Sequence, residues 1–293
     1  MPNNCKRFHF PRPLAVFLAV VLACSAAAYV WIHAGGPDWL YPALMWTPAL
    51  AAIPAHCVAL RERGEPISLK GLLARSGLRR CNLRYVLMGL VFPLFYLLIP
   101  YLIYWQLYPE CFVYHGVPVP TVLKDFALPL TVGTVLSLLT ALGEELGWRG
   151  FLLPALYEQF GLRGALWISS LIWIAWHLPL LIGGDYMSGT PIGYRIPAFV
   201  LCVLPIGFLT GLLALESNSV WPGAWLHAAH NNYDQAVFGF VTAGAIKPFF
   251  VSETGILTIV CAWALAIVVL ARVRRQAARG ACAENPPVQA PKA

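Results

Sequence analysis

The sequence predicts an all-α protein that crosses a membrane about eight times, because apolar segments of roughly 17–25 residues, long enough to span a bilayer as helices, recur along it. The 293 residues have a mean hydropathy of +0.68 and are 59% hydrophobic. Only 11% are charged, whereas about a quarter of the residues in a typical soluble domain are charged. Such a chain cannot cover its surface with charge, so we expect lipid to cover it.

The predicted spans follow one another with mostly short connections. They are residues 14–32, 40–60, 85–107, 126–142, 165–182, 196–215, 221–241 and 255–271. Prolines inside several spans are compatible with membrane helices, because neighbouring helices and local changes of helix type satisfy the freed carbonyl groups. Residues 151–160 are too few to cross a membrane, so we expect an interfacial helix or a connector there.

The basic residues indicate the orientation of the chain. All 20 Lys and Arg residues except Lys124, Arg195 and Lys247 fall on one side of the predicted membrane. Cytoplasmic segments carry an excess of Lys and Arg, so we expect both termini in the cytoplasm. The basic connection 61–84 fits an amphipathic interfacial helix and a plain loop equally well. No nucleic-acid-binding motif accompanies the net charge of +7, so we do not expect a nucleic-acid partner.

The two chain ends and the cysteines need separate interpretation. The first apolar run follows basic residues and contains a weak lipoprotein-like site before Cys24, but it continues to residue 32, and we expect a retained membrane helix. The eight cysteines show no Cys-x-x-Cys spacing and are interpreted as small apolar side chains. The proline-containing tail, residues 280–293, lacks a hydrophobic pattern and is predicted to be disordered.

Two adjacent carboxylates, Glu144 and Glu145, follow the fourth predicted span, and Arg149 comes four residues after Glu145. Ionisable residues at membrane depth are costly and indicate a functional site by default. Glu145 and Arg149 are one helical turn apart, in the order that favours an ion pair. Glu144 points about 100° away and lacks that partner. The pattern predicts a structural pair and a general base, Glu144; the alternative is two solvated glutamates at the interface.

Further polar residues lie in the fifth and seventh spans. His177 is roughly 18 Å into the fifth span, near mid-membrane, where a histidine faces the bundle interior or a watered cavity. His227 and Asn231 share one face of the seventh span. The sequence leaves open whether His230 and Asp234 belong to the same site or are packing contacts. Polar positions on three separate spans favour one shared site over three unrelated packing contacts.

These positions carry a resemblance to a known family. The segments in question are Glu144-Glu145-x-x-x-Arg149, Trp173-x-x-x-His177 and His227-x-x-x-Asn231. In that order they resemble the motifs EExxxR, FxxxH and HxxxN/D of the CAAX-protease and bacteriocin-processing (CPBP, or Abi) family of intramembrane proteases. The resemblance covers about residues 131–233. Trp173 replaces the usual Phe, an exchange between aromatic residues that we expect to preserve packing.

The resemblance implies a role for each position. Glu144 would activate a water molecule with the help of His177. His227 and Asn231 would stabilise the oxyanion of the tetrahedral intermediate. The ion pair after Glu144 would orient the end of its helix.

A metal ion is left open by the sequence. The family is often described as metalloproteases, and Glu144, His177 and His227 are a plausible zinc set. The chain has no His-Glu-x-x-His motif, and asparagine is a poor zinc ligand. A metal-free, general-base mechanism is therefore slightly favoured.

The implied function is an intramembrane endopeptidase of the CAAX-protease type in a bacterial plasma membrane. It would cleave a peptide or protein, including a lipid-modified one, near the cytoplasmic side. The alternatives are a proton- or cation-coupled transporter that uses the same residues as a relay, and a bacteriocin self-immunity protein of the same family. The expected organisation is N-terminal helices with a basic loop (1–125), a catalytic core (126–242), a last membrane helix (243–279) and the tail.

Overall fold

A computed structural model of the chain describes residues 11–284, with side chains as far as residue 276. Within this range the chain is helical and forms no β-strand. In chain order the α-helices are α1 (Arg12–His33), α2 (Leu40–Met45), α3 (Thr47–Glu62), α4 (Leu69–Arg75), α5 (Leu83–Pro93), α6 (Ile99–Leu107), α7 (Val119–Leu128), α8 (Thr134–Gly147), α9 (Leu153–Gly183), α10 (Ile192–Ser217), α11 (Trp221–Asn231), α12 (Lys247–Phe250) and α13 (Ile256–Glu284).

Six helical stretches of the described chain are long and apolar enough to cross a membrane. One of them, Val119–Gly183, contains two of the predicted spans, because α7, α8 and α9 follow one another without an intervening loop. The predicted span 221–241 corresponds to α11 and a π-helical continuation, Asn232–Phe238. The prediction of an all-α, polytopic membrane protein is confirmed, and the cytoplasmic location of the termini stays a prediction.

π-Helical turns join several of the helices. Leu94–Leu98 lies between α5 and α6, Pro129–Gly133 between α7 and α8, and Trp148–Leu152 between α8 and α9. Proline lacks a backbone N–H and disrupts the regular helical hydrogen-bond pattern, and Pro93 and Pro129 stand at the start of the first two turns. The third turn begins three residues after Glu145. π-Helical turns are frequent at functional sites.

The segments expected to be connectors or disordered have definite local structure. Residues 151–160 continue the helix of α8 through the π-turn, and Gly161, with φ 64°, breaks α9 before the fifth predicted span. The connection 61–84 contains the short helix α4, capped by Ser68, whose Oγ accepts from the backbone N of Gly71 at 3.1 Å. Helix α13 continues through Glu284, and residues 285–293 of the predicted tail lie outside the described part, so the disordered tail stays a prediction.

The bundle has two ends that differ in charge. At the basic end, the connection before α5 meets the turn between α10 and α11, where Val220 N donates to Gly77 O at 3.0 Å. At the opposite end, His33 Nδ1 lies 2.8 Å from Asp185 Oδ2. Most Lys and Arg side chains belong to the connections and helix termini of the basic end.

Close packing places the motif-bearing helices side by side. Helix α11 packs against both α5 and α8, and α9 packs against α10. Small residues allow these approaches: a Cβ on Gly147 would clash with Pro48, and one on Gly89 would lie 2.5 Å from Pro222 O. Membrane helices commonly use small residues in this way. The N-terminal helices therefore support the helices that carry the predicted site.

Candidate active site

A cavity of about 310 Å³ lies inside the bundle. Its lining includes all four residues predicted to be catalytic: Glu144 from α8, His177 from α9, and His227 and Asn231 from α11. The volume is at the lower end of the range typical of small-molecule sites. Residues that are up to 87 positions apart in the sequence thus share one internal space. Their individual catalytic roles stay predictions.

Glu144 is held by two tryptophans. Its side chain is 1% exposed, and Oε2 accepts hydrogen bonds from Trp173 Nε1 at 2.7 Å and Trp148 Nε1 at 3.2 Å. Bonds to a carboxylate are stronger than bonds between neutral groups and fix its orientation. Oε1 receives no hydrogen bond from any residue that the structure describes. The carboxylate is anchored through one oxygen, and the other can bind a proton or a ligand in the cavity.

Glu145 connects an arginine and a histidine. Its Oε1 accepts from Arg149 Nη1 at 2.7 Å, which is the ion pair that the sequence spacing predicts, and from His227 Nδ1 at 3.0 Å. The contact with His227 was not expected from the sequence, because the two residues are 82 positions apart. Glu145 is fully buried, and its Oε2 has no hydrogen-bond partner among the described residues. Glu145 therefore orients the ring of His227.

Arg149 is buried against three different groups. Besides Glu145, its Nη2 donates to Thr210 Oγ1 at 2.5 Å, and its Cζ lies 4.4 Å from the ring centroid of Trp173. An arginine over an indole face makes a favourable cation–π contact. The sequence does not indicate Thr210, because a single hydroxyl in the apolar run of α10 carries no distinguishing pattern.

His177 is oriented by its own helix. Its Nδ1 lies 2.9 Å from Trp173 O, and a carbonyl oxygen can only accept, so Nδ1 carries the hydrogen. In the neutral imidazole Nε2 is then the proton acceptor. Trp173 also packs edge-on against both histidine rings, at centroid distances of 5.6 Å to His177 and 5.3 Å to His227. The aromatic residue of the second motif thus supports the glutamate and both histidines.

His230 lines the same cavity, together with residues that the sequence did not indicate. Its Nε2 lies 2.8 Å from Glu253 Oε1, and Tyr186 Oη donates to Glu253 Oε2 at 2.7 Å. Glu253 lies outside the membrane-spanning helices. Burial raises the pKa of this carboxyl, but its hydrogen bonds with His230 and Tyr186 outweigh that effect and hold the pKa below its usual range. An isolated glutamate in a short connection gives no sequence signal.

Asp234 and Asn232 lie outside this cavity. Asp234 is buried, where Oδ1 accepts from Tyr101 Oη at 2.9 Å and Oδ2 from Ser252 Oγ at 2.6 Å. Asn232 Nδ2 donates to the carbonyl of Pro129 at 3.0 Å. Of the two residues that the sequence left open, His230 shares the cavity and Asp234 is a polar contact deeper in the bundle.

The side chains do not fit a three-ligand zinc site as they are placed. Over residues 11–276, no three or more His, Cys, Asp or Glu side chains are arranged to hold a metal ion. Zinc sites of hydrolases normally use three protein ligands. No step below is therefore assigned to a metal.

The cavity lies toward the opposite end of the bundle. Its lining includes Tyr41 at the start of α2, Tyr186 between α9 and α10, and Glu253 between α12 and α13, all close to that end. The distribution of Lys and Arg assigns this end to the non-cytoplasmic side. The predicted orientation therefore places this cavity toward the non-cytoplasmic side, whereas the sequence analysis expects cleavage near the cytoplasmic side. Both stay predictions.

Comparison with known proteins identifies the segment that carries the site. Residues 126–233 match a family model described as type II CAAX prenyl endopeptidase Rce1-like. The resemblance to the CPBP family is confirmed. The matched segment contains α8, the turn with Arg149, α9, α10 and α11, and so contains all four cavity residues named by the motifs.

One curated relative extends this finding. The "CAAX prenyl protease 2" of Methanococcus maripaludis is 32% identical over 87 residues, which are 28% of this chain and 32% of the relative. The match therefore spans about a third of the relative's length. Glu253, which lines the cavity, lies outside the segment matched by the family model.

Proposed function

We propose that this protein is an intramembrane endopeptidase that hydrolyses a peptide bond inside the cavity. The observation that carries the proposal is the meeting of Glu144, His177, His227 and Asn231 around one cavity. The match of residues 126–233 to a CAAX prenyl endopeptidase family supports the same reaction class.

Glu144 is the proposed general base. Oε1 of Glu144 would take a proton from a water molecule while the water oxygen attacks the carbonyl carbon of the substrate. His177 Nε2 would accept a hydrogen bond from the same water and position it. The two indoles on Oε2 of Glu144 support this role because they hold the carboxylate in one orientation. The proton would then pass from Glu144 to the leaving amine, so that the base is regenerated.

His227 and Asn231 are the proposed oxyanion donors. The amide of Asn231 supplies N–H groups, and His227 supplies Nε2–H when its ring is protonated. Glu145 supports the protonated ring, because its Oε1 lies 3.0 Å from His227 Nδ1. Arg149 Nη1 donates to that same oxygen and so offsets the charge of Glu145 in a buried setting. Glu145 would act through His227, as a positioning residue.

Proteolysis can be tested with matched pairs of variants. The purified protein in detergent is incubated with membrane peptides, with and without a prenylated cysteine, and products are identified by mass spectrometry. Glu144→Gln and His177→Ala should each reduce kcat by about 10²–10⁴-fold. The controls Glu158→Gln and His115→Ala change exposed residues outside the cavity and should retain activity. Cleavage that survives both cavity substitutions would refute the mechanism.

The same preparation addresses the cofactor and the alternatives. Bound metal is measured directly, and activity is compared before and after chelation; loss of activity that zinc restores would contradict the metal-free mechanism. Ion uptake into vesicles that depends on Glu144, without peptide cleavage, would favour the transporter alternative. Protection of a bacteriocin-sensitive host that is unaffected by Glu144→Gln would favour self-immunity without proteolysis.

A further inference from the structure

A further cavity, of about 350 Å³, lies at the basic end of the bundle. It is bounded by the start of α1, the end of α3, the start of α9 and the connection between α3 and α5. Three arginines line it, Arg63, Arg75 and Arg79, and we call it the arginine cavity. Of the described residues, none lines both this cavity and the one that contains Glu144.

Two of the guanidinium groups are held in place and still have donors available. Arg75 donates from Nη2 to both carboxylate oxygens of Glu65, at 2.8 and 3.0 Å. Arg79 donates from Nε and Nη2 to the carbonyl of Ala74, at 3.2 and 3.0 Å. An arginine has five N–H donors, and Nη1 of both arginines makes no hydrogen bond with a described residue. Oriented guanidinium groups with free donors suit the oxygens of a phosphate.

The electrostatic field at this end of the bundle is positive. Two exposed carboxylates, Glu62 and Glu158, also line the arginine cavity. The contact of Glu158 Oε1 with Arg63 Nη2 is long, at 3.9 Å, and joins two exposed side chains, so it neutralises little. The connection 61–84 as a whole carries seven basic and two acidic residues. Such a surface attracts anions.

The buried part of the arginine cavity is mainly apolar. Leu14 and Phe151 line it and are 2% and 5% exposed. The ring of His56 packs edge-on against Phe151 at a centroid distance of 5.0 Å. His56 also lines the cavity, and its Nε2 has no hydrogen-bond partner among the described residues, which is uncommon for a buried polar atom. Exposed arginines and a buried apolar wall together match a molecule with a charged end and an apolar end.

The position of the arginine cavity matches the level of lipid headgroups. The stretches Arg12–His33 and Leu40–Glu62 are long and apolar enough to cross a membrane, and the cavity lies where the first begins and the second ends. The ends of membrane-crossing helices lie near the headgroups. The predicted orientation places this end on the cytoplasmic side, where basic pockets between helices bind anionic headgroups.

We infer that the arginine cavity binds a phosphate group, and that this phosphate belongs to the headgroup of an anionic phospholipid. Arg75 and Arg79 hold the phosphate oxygens, while the apolar wall packs against the glycerol and the first acyl carbons. A soluble phosphate compound would carry the same charge but would gain nothing from the apolar wall. The site is separate from the proposed peptidase chemistry and does not depend on it.

The test measures lipid binding to the delipidated full chain in detergent by native mass spectrometry. The wild-type protein should bind phosphatidylglycerol about tenfold more tightly than phosphatidylcholine, whose choline cation offsets the phosphate charge. The double variant Arg75→Gln with Arg79→Gln should weaken phosphatidylglycerol binding by about 10–30-fold, since each basic residue near an anionic headgroup contributes about a fivefold factor. Binding of phosphatidylcholine should change little.

A matched double variant and a second probe make the result specific. Arg61→Gln with Arg80→Gln removes the same charge from the same connection, outside the cavity, and should retain most of the affinity because exposed charges away from the site are screened. Equal binding of the two lipids by the wild type would overturn the inference even if the cavity variant does not fold. Unchanged phosphatidylglycerol binding in the folded cavity variant would also overturn it. Arginine-dependent binding of inorganic phosphate that phosphatidylglycerol does not displace would support the phosphate site but overturn the lipid as its source.

Discussion

The buried ion pair next to the cavity gives the sharpest test of the packing around the site. Arg149 and Glu145 side chains are 3% and 0% exposed, and their Nη1–Oε1 distance is 2.7 Å. Arg149→Met keeps the apolar stem but leaves Glu145 as a buried carboxylate without its ion-pair partner. Removing one partner of a buried pair lowers the free energy of unfolding by about 3–5 kcal/mol. The control is the exposed pair of Arg63 and Glu158, whose side chains are 52% and 70% exposed and whose Nη2–Oε1 distance is 3.9 Å. Arg63→Met should lower the free energy of unfolding by less than about 1 kcal/mol.

The assay is unfolding of the purified variants in detergent, followed by tryptophan fluorescence. If the uncompensated carboxylate causes the loss, the double variant Glu145→Gln with Arg149→Met should recover part of it, because the glutamine is neutral and can still accept from His227. A double variant that is as unstable as the sum of the two single variants would refute this explanation. If Arg149→Met and Arg63→Met lower the stability equally, burial of the ion pair does not determine how much stability is lost.

Three further predictions concern packing, pH and orientation. Gly147→Ala should destabilise the fold by about 1–3 kcal/mol, because its Cβ overlaps Pro48; in the same unfolding assay Gly193→Ala, with no atom within 4 Å, should not. The lowered pKa of Glu253 means that its ionised form stabilises the fold fully above the unfolded-state pKa, and that this contribution is lost as the pH falls through the lower folded-state value. The stability advantage of wild type over Glu253→Gln should therefore shrink on acidification below about pH 4.5; a constant difference would contradict it. A fluorescent protein fused to the C-terminus should fluoresce, and alkaline phosphatase fused after residue 116 should be active; the reverse pattern would invert the orientation.

The sequence predicted the architecture well because membrane insertion is governed by local composition. A helix in lipid satisfies its own backbone groups, so a long apolar run is sufficient to predict it. The close spacing of Glu145 and Arg149 predicted their contact for a similar reason, since residues four apart on a helix are neighbours. What helical periodicity could not predict was how helices would continue: residues 151–160 extend α8 through a π-turn, and Gly161 makes the break.

The motif spacings alone indicated which residues were candidates for chemistry, but only tertiary packing decided how they meet. Bonds within one helical turn are fixed by sequence, as for Arg149 on Glu145 and Trp148 on Glu144. The contact of Glu145 with His227 depends on how α8 and α11 pack, and the place of Glu253 depends on a buried connection. Those arrangements arise from side chains distant in sequence, whose contacts no local pattern records. The two adjacent carboxylates were visible in the chain, whereas the third carboxylate of the cavity was supplied by the fold.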